Sequence, residues 1–193
     1  MQSNKEAVSA AARPVDPHQW VVKYADYLYT YAIMRLNDEE QAKDMVQETF
    51  LAALERVDKF EGKSSESTWL TANIKNKVID VYRKRSSEAA RHGRQDAGYA
   101  QFFDPENGHW NPAHQPRPIG FEDQLVSKEF TQILQACMRK LPALWLSVFS
   151  MKHMDDEATA VICRELGISA ANFWVIIHRA KLHVRACLQK NWI

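Results

Sequence analysis

Apolar residues recur through most of this chain at intervals of three and four positions, the spacing that predicts amphipathic α-helices. Capping signals mark the first two helix starts: Asp16-Pro17 offers a capping side chain before a proline, and Asn37-Asp38 follows the first apolar stripe. A third helix is expected from Trp69 to about Arg85, capped by Ser67 or Thr68. The residues predicted to face inward in these helices are Val21, Tyr24, Leu28 and Tyr31, then Ala42, Met45, Val46, Thr49, Phe50, Ala53, Leu54 and Val57, and finally Leu70, Ile74, Val78 and Val81.

The periodic pattern stops over residues 86–120 and then resumes. This interruption contains prolines, glycines and aromatic residues without helical spacing, so it predicts an interdomain linker. From about Glu122 a new stripe begins, Pro142 starts a further helix that runs through Met154, and Asp155-Asp156 opens a short one. The residues predicted to face inward in the first helix of this second unit are Leu125, Phe130, Ile133, Leu134, Cys137 and Leu141.

The last part of the chain has the pattern of a helix-turn-helix. A helix over residues 156–166 is closed by Gly167, and Ser169 caps a second helix over residues 170–188. The outer side of the second helix can enter the major groove of DNA, but a plain helical hairpin has the same pattern, so both interpretations stay open. The inward stripe of this second helix is Phe173, Ile177, Ala180, Val184 and Leu188.

Charge is unevenly distributed along the chain, although its net charge is only +1. Residues 37–61 contain eight acidic and three basic residues, whereas residues 62–94 contain eight basic and three acidic ones. Residues 167–193 contain four basic residues and no acidic one. Separate acidic and basic blocks indicate two kinds of partner surface.

Several classes of function find no support in the sequence. With 46% hydrophobic residues but no apolar run long enough for a membrane span or a secretion signal, the chain is predicted to be cytoplasmic and not membrane-inserted. No catalytic constellation or nucleotide-binding loop appears, so neither an enzyme nor a cofactor is predicted. Cys137, Cys163 and Cys187 are odd in number and far apart, which predicts neither a disulfide nor a metal pair. Metal binding has only weak support, from three irregularly spaced linker histidines: His92, His109 and His114.

Three segments, taken in order, resemble the bacterial RNA polymerase sigma factors, and most closely their short extracytoplasmic-function group. They are "AKDMVQETFLAAL", "STWLTANIKNKVIDVYRKR" and "LGISAANFWVIIHRAKLHVRACL". The resemblance implies an all-α fold of two helical domains joined by a flexible linker, the C-terminal domain being a helix-turn-helix. The implied boundaries are a flexible N-terminal tail at 1–15, a helical domain similar to sigma region 2 at 16–90, a linker at 91–121, and a domain similar to sigma region 4 at 122–193.

The first segment resembles the part of sigma factors that docks on core RNA polymerase. Its outward carboxylates and amide offer hydrogen-bond acceptors to a basic or amide-bearing partner. By this resemblance the polymerase-binding residues are Asp44, Gln47, Glu48 and Phe50.

The second segment resembles the part that opens DNA and reads the minus-ten promoter element. The loop before it would help to hold a flipped base, and the cations that follow, Lys75 among them, would track the phosphates. Trp69 suits a core role equally well, and Glu66 stands where the family usually has an aromatic or basic residue. The implied minus-ten residues are Lys63, Ser64, Ser65, Trp69, Asn73, Asn76, Lys77, Asp80, Arg83, Lys84 and Arg85.

The third segment resembles the part that reads the minus-thirty-five element. The family is commonly more polar at positions 174–176, where this chain is apolar. Trp174 and Ile176 are therefore predicted to be covered by another protein when the factor is idle, since exposed apolar patches often mark interaction sites. The implied minus-thirty-five residues are Ser169, Ala171, Asn172, Trp174, Val175, His178, Arg179 and Lys181.

The predicted function is a sigma factor that binds core RNA polymerase and directs promoter recognition, DNA melting and transcription initiation for an alternative regulon. The alternative is a polymerase-independent helix-turn-helix repressor or activator, which would sense a ligand through its first domain and usually dimerise on palindromes. The implied partners are core RNA polymerase, promoter DNA and an anti-sigma factor of the membrane-linked or zinc-containing kind.

Overall fold

The computed structural model describes residues 16–92, 111–112 and 128–192, and this part of the chain is helical and contains no β-strand. The predicted all-α fold is confirmed. The predicted tail and almost all of the predicted linker lie outside the described residues, as do the side chains of the three linker histidines. The α-helices of the described part are α1 (Trp20–Leu36), α2 (Glu39–Leu54), α3 (Glu66–His92), α4 (Lys128–Met138), α5 (Ala143–His153), α6 (Thr159–Leu166) and α7 (Ala170–Asn191).

The first two helix starts lie where their capping residues predict them. Asp16 accepts a hydrogen bond from the His18 amide at 3.2 Å and begins a short 3-10 helix that leads into α1. Asp38 accepts one from the Gln41 amide at 3.0 Å and begins α2. Between them Asn37 ends α1 in the left-handed conformation, with φ of 56°, which asparagine tolerates better than most residues.

The cap predicted for the third helix is wrong. The helix begins at Glu66, and it is Ser65, not Ser67 or Thr68, whose hydroxyl accepts a hydrogen bond from the Thr68 amide, at 3.1 Å. An N-cap side chain reaches the amide two or three residues further on, and the Ser65–Thr68 spacing satisfies this. The correction places Ser65 at the boundary between loop and helix.

The short helix before the final turn begins later than predicted. Asp155 and Asp156 precede α6 by several residues, and Asp156 adopts a left-handed φ of 49°, so neither caps it. The predicted end is confirmed, because Gly167 has φ of 62°, a conformation that costs glycine little. Asp155 is instead occupied by a long-range contact with Arg35.

The inward faces of α1 to α3 follow the predicted stripes with two exceptions. Trp20, not predicted, is buried with 2% exposure, whereas Val21 is 58% exposed. In α2, Ala53 is fully buried and Leu54 is 54% exposed. Each error is a one-residue slip at a helix end, where a rotation of about 100° per residue turns one neighbour inward and the next outward.

Helix α5 lies at the centre of the molecule. It packs against α1 and α3 on one side and against α6 and α7 on the other. A helix that contacts neighbours all round is apolar or small-residue on every face, which distinguishes it from the amphipathic helices around it. The buried side chains of α1–α3 and of α4–α7 therefore form one continuous core. The buried residues of α5 are Trp145, Leu146, Ser147, Val148, Ser150 and Met151.

Helices α6 and α7 are joined by a three-residue turn and meet at 102°, a geometry that fits a helix-turn-helix. The predicted inward stripe of α7 is confirmed for four buried residues, with Leu188 partly buried beside them. The expectation that Ile176 is available to a partner is wrong, because it is 3% exposed. Among the described helices none alone has the length and apolarity to span a membrane, whereas the bent α6–α7 pair meets that criterion by length and composition only.

A disulfide joins Cys137 of α4 to Cys187 of α7, with their Cα atoms 5.6 Å apart. The prediction that the cysteines form no disulfide is therefore wrong. The two residues are separated by 50 positions in the sequence but are brought together where α4 packs on α7. Cys163 in α6 is a half-buried free thiol.

Candidate functional site

The exposed face of α2 combines acidic and apolar side chains. Asp44, Gln47 and Glu48 are all exposed, as predicted for a docking surface, while Phe50 is half-buried and packs on the core. The structure adds Leu51 and Leu54, which are 62% and 54% exposed and lie one and two turns further along the same face. Leu54 was predicted to face inward, and Leu51 lay outside the predicted stripe without being assigned a role.

The outer face of α3 carries most of the residues predicted for minus-ten binding. Asn76, Asp80, Arg83 and Lys84 are exposed and recur at intervals of three and four, so they share one face, with Lys77 half-buried beside them. Asp80 accepts a hydrogen bond from Arg83 at 2.5 Å, so this carboxylate orients a neighbouring basic side chain. The stripe is therefore continuous over about two turns.

The loop before α3 is open to solvent, whereas Trp69 is not. Lys63, Ser64 and Ser65 are exposed, and Lys63 pairs with the neighbouring Glu61. The Trp69 ring is half-buried and packs on the core, with its centroid 4.9 Å from that of Phe60. The loop thus exposes polar side chains next to the half-buried rings of Phe60 and Trp69.

Glu66 has a structural contact that accounts for a carboxylate at this position. The Tyr24 hydroxyl donates a hydrogen bond to Glu66 at 3.1 Å, which ties the first turn of α3 to α1. Burial raises the pKa of Tyr24, and the hydrogen bond to Glu66 raises it further. Asn73 also turns inward, donating to the Trp69 carbonyl at 3.1 Å.

Arg85 lies apart from the exposed stripe of α3. Its guanidinium donates to the Leu36 carbonyl at 2.9 Å and to the Gln41 side chain at 3.1 Å, joining the ends of α1 and α2 to α3. Burial lowers the pKa of Arg85. These contacts hold the helix that carries the stripe.

Several basic side chains of α3 form ion pairs with carboxylates of the same chain. Lys77 pairs with Glu48 of α2 at 3.0 Å, and Lys75 pairs with Glu157 at 2.6 Å. Arg83 bonds Glu165 of α6, and this hydrogen bond raises the pKa of Arg83. The same bond from Arg83, followed by one from Arg164, lowers the pKa of Glu165, so this carboxyl stays ionised at a lower pH than usual.

The outer face of α7 carries a mixed apolar and polar stripe. Ser169 accepts a hydrogen bond from the Asn172 amide at 3.2 Å and so caps the helix. Trp174 is 62% and Val175 46% exposed, and the Trp174 ring stands edge-on to that of the buried Phe173 at 5.2 Å. The predicted minus-thirty-five residues divide into exposed ones, Ser169, Ala171, Trp174, Val175, His178 and Lys181, and half-buried ones, Asn172 and Arg179.

The described residues contain no cluster of three or more histidine, cysteine, aspartate or glutamate side chains close enough to hold a metal ion. The three linker histidines lie outside this search, since their side chains are not described. The described surfaces are thus built from ion pairs, hydrogen bonds and apolar contacts.

Residues 20–88 match the family model Sigma-70 region 2, which spans α1 to α3. The chain is 32% identical over 165 residues to a probable RNA polymerase sigma factor of Haemophilus influenzae, covering 85% of each chain. It is 28% identical to the extracytoplasmic-function RNA polymerase sigma factor SigW of Bacillus subtilis, covering 86% of this chain and 85% of that one.

A solved structure of the sigma factor RpoE with the anti-sigma factor NepR from Bartonella quintana is also similar, with a TM-score of 0.43 and 19% identity, covering 90% of this chain and 97% of that one. The relatives favour the predicted sigma factor over the alternative of a polymerase-independent regulator. The match extends through both helical groups, α1–α3 and α4–α7, since it covers 85% of this chain. The chain therefore belongs to the RNA polymerase sigma factors, in the extracytoplasmic-function group of the sigma-70 family.

Proposed function

We propose that this sigma factor docks on core RNA polymerase through α2 and contacts the two promoter elements through α3 and α7. The observation that carries the proposal is the separation of three exposed stripes by chemistry: acidic and apolar on α2, polar and cationic on α3, apolar and basic on α7. The protein does no bond chemistry of its own in this scheme. It distributes binding energy between polymerase and DNA.

Docking on the polymerase is assigned to Asp44, Gln47 and Glu48 together with Leu51 and Leu54. Carboxylates steer association with a basic partner, whereas burial of the exposed leucines adds affinity through the hydrophobic effect. Leu51 and Leu54 are each more than 50% exposed and lie beside the acidic side chains of the same helix face, a combination that suits an interaction site. Phe50 is half-buried and contributes indirectly, because it packs α2 against the core.

Minus-ten recognition is assigned to the loop before α3 and to the exposed stripe that follows. Lys63, Ser64 and Ser65 are placed to bond an extruded base, with the Trp69 edge as a wall. Asn76 and Lys77 continue the surface, and the cations beyond them follow the phosphates. Arg85 and Asn73 act indirectly, by fixing the helix in place.

Minus-thirty-five recognition is assigned to the first turns of α7. Ala171, Val175 and Trp174 would meet apolar groove features such as thymine methyl groups, while His178 and Lys181 contact base edges and phosphates. Asn172 and Arg179 lie at the margin of this face. The exposed Trp174 and Val175 also favour an anti-sigma factor as the partner that covers α7 when the protein is idle.

The test is promoter-selective transcription with purified core polymerase on a library of random upstream sequences. Transcripts that start downstream of a shared two-part motif only when the protein is present are the expected result. Leu51→Asp should abolish them and abolish capture of core polymerase, because it puts a charge into the apolar part of the docking surface. Val22→Asp, an exposed apolar residue on α1, is the matched control and should transcribe normally.

Two results would contradict the proposal. Normal polymerase capture by the Leu51 variant would remove the docking role from α2. Tight duplex binding by the wild-type chain without polymerase, together with no transcription in its presence, would favour an independent regulator.

A further inference from the structure

The disulfide between α4 and α7 lies in a polar setting that belongs to none of the three assigned binding surfaces. The Lys140 ammonium nitrogen lies 3.6 Å from the Cys187 sulfur. The Asn191 side-chain amide donates to the same sulfur at 3.4 Å. Two hydrogen-bond donors, one of them cationic, therefore converge on one sulfur of the pair with Cys137.

The local backbone on each side of the disulfide places these donors. Helix α4 ends directly after Cys137, and the Lys140 amide donates to the Cys137 carbonyl at 3.2 Å. This tight turn brings the lysine back beside the disulfide. Asn191 follows Cys187 by one helical turn and also donates to the Cys187 carbonyl at 2.6 Å, which holds its amide group close to the sulfur.

The two cysteines differ in their access to solvent. Cys137 is 2% exposed, whereas Cys187 is half-buried and lies beside the exposed Lys140. A dissolved reagent therefore reaches the Cys187 sulfur more easily than the Cys137 sulfur. In the reduced chain, a neighbouring ammonium group favours the thiolate over the thiol, and the thiolate is the reactive form of cysteine. Access and charge thus both select Cys187 as the reacting sulfur.

Non-covalent packing keeps α4 on α7 independently of the sulfur–sulfur bond. The two helices pack against each other, and the Phe130 ring of α4 stands edge-on to the Trp192 ring at the end of α7, with centroids 5.4 Å apart. These contacts persist when the bond is reduced, so the two thiols stay neighbours. A thiol held in place in this way reacts as if it were highly concentrated.

We propose that Cys187 and Cys137 form a reversible redox site in which a peroxide oxidises Cys187 and Cys137 resolves the product. The Cys187 thiolate attacks one peroxide oxygen, the oxygen–oxygen bond breaks, and Cys187 becomes a sulfenic acid while the departing oxygen takes up a proton. The Cys137 sulfur then attacks the Cys187 sulfur. The disulfide forms, and the sulfenic hydroxyl leaves as water with the proton of the Cys137 thiol.

A dithiol reductant reverses the reaction by exchange. Its thiolate attacks the accessible Cys187 sulfur and releases Cys137, and its second thiol then releases Cys187 as the reductant becomes a disulfide. The oxidised chain has α4 tied covalently to α7, and the reduced chain has the packing contacts alone. Oxidation therefore braces α7 whatever this helix binds.

The test starts from the full chain reduced with dithiothreitol, freed of the reductant and mixed with hydrogen peroxide. Mass spectrometry of the wild type should show the Cys137–Cys187 linkage form, and dithiothreitol should remove it again from the folded chain. In C137S, which lacks the resolving thiol, dimedone should trap a sulfenic acid on Cys187. Cys187 should react about tenfold faster than Cys163 of the same chain, because a neighbouring cation promotes the thiolate. Circular dichroism checks that each variant keeps its helices.

Variants at Lys140 separate the effect of the cation from a general structural effect. In the C137S background, K140Q should slow oxidation of Cys187 about fivefold at neutral pH, and K140R should restore it. The difference should shrink as the pH rises toward about 10, where thiols ionise without help. R139Q is the matched control, because it removes one positive charge from the neighbouring exposed position, and it should react as its parent does.

Four outcomes would overturn the proposal. They are the absence of a peroxide-induced linkage in the wild type, a linkage that dithiothreitol cannot reduce in the folded chain, equal reaction rates at Cys187 and Cys163, and equal slowing by K140Q and R139Q. Each measurement uses the chain without polymerase or DNA. Failure of the proposed function would therefore leave these results unchanged.

Discussion

The two surfaces assigned to DNA, on α3 and α7, differ in what they present to solvent. On α3, Lys75, Lys77 and Arg83 are each bonded to a carboxylate that lies outside α3. On α7, the exposed stripe instead places Trp174 and Val175 in solvent. The cations of the α3 surface are paired within the molecule, whereas the α7 surface exposes apolar area to solvent.

This difference indicates two kinds of control over DNA binding. A surface covered by ion pairs is freed when a stronger anion competes, and its behaviour depends on salt. A surface with exposed apolar residues is blocked most effectively by a protein that buries them. The first mechanism lies within the chain, and the second requires a partner.

The largest expected effect is a difference in stability between alanine substitutions at two adjacent residues of α7, Phe173 and Trp174. Phe173→Ala should lower the free energy of unfolding by about 3–5 kcal/mol, because the ring is fully buried and its loss leaves a cavity. Trp174→Ala should change it by less than about 0.5 kcal/mol and yet weaken recognition of the minus-thirty-five element. Urea denaturation and duplex binding measure the two effects.

Equal destabilisation by the two substitutions would show that Trp174 is part of the core. Unchanged binding of both duplex and inhibitor by Trp174→Ala would remove the interaction role from the exposed stripe. Val175→Ala belongs to the same comparison, because the Val175 side chain is also exposed, at 46%.

The disulfide gives the next largest effect, and it concerns α7 and not α3. Reducing the bond between Cys137 and Cys187, or replacing both by serine, should cost about 4 kcal/mol for a loop of 50 residues. Thermal unfolding with and without reductant measures the change. Cys163→Ser is the control, since this free thiol is only half-buried. A transition that does not respond to reductant would show that the cysteines are not joined in solution.

Breaking the buried ion pair between Arg35 and Asp155 should have a smaller effect. Asp155→Asn leaves the Arg35 guanidinium without its carboxylate and should cost about 1.5–3 kcal/mol, the range for hydrogen bonds to charged groups. Glu157→Gln, at a more exposed pair, should cost less than about 1 kcal/mol. Denaturant midpoints compare the two, and a larger cost at Glu157 would contradict the greater cost assigned to the buried pair.

Most local features of this fold are predictable from the sequence, apart from the caps of α3 and α6, whereas contacts between distant segments are not. The caps at Asp16 and Asp38 and the left-handed Gly167 depend on neighbouring residues, and all three were predicted. The stripe of α7 was predicted because its period is set by the helix itself. Failures at Val21 and Leu54 arose at helix ends, where one residue decides the face.

The sequence contains only one weak indication that α1–α3 pack against α4–α7. Helix α5 has small or apolar residues on all sides, which indicates burial on every face but does not identify the neighbours. Asp155 resembled a helix cap, and its pairing with Arg35 depends on a contact 120 residues away. The disulfide was missed for the same reason, since spacing along the chain does not reveal which helices pack together.

The smallest expected effect compares the serine caps that begin α3 and α7, the two helices assigned to DNA. Ser65 accepts from the Thr68 amide at 3.1 Å and Ser169 from the Asn172 amide at 3.2 Å, so each satisfies one otherwise unpaired donor. Ser65→Ala and Ser169→Ala should each lower the free energy of unfolding by about 1 kcal/mol. If Ser65 also bonds an extruded base, its variant should lose promoter melting beyond this cost. Ser65→Asp, which retains a capping side chain, should recover the stability but not the melting, because a carboxylate repels DNA; recovery of both would assign Ser65 to capping alone.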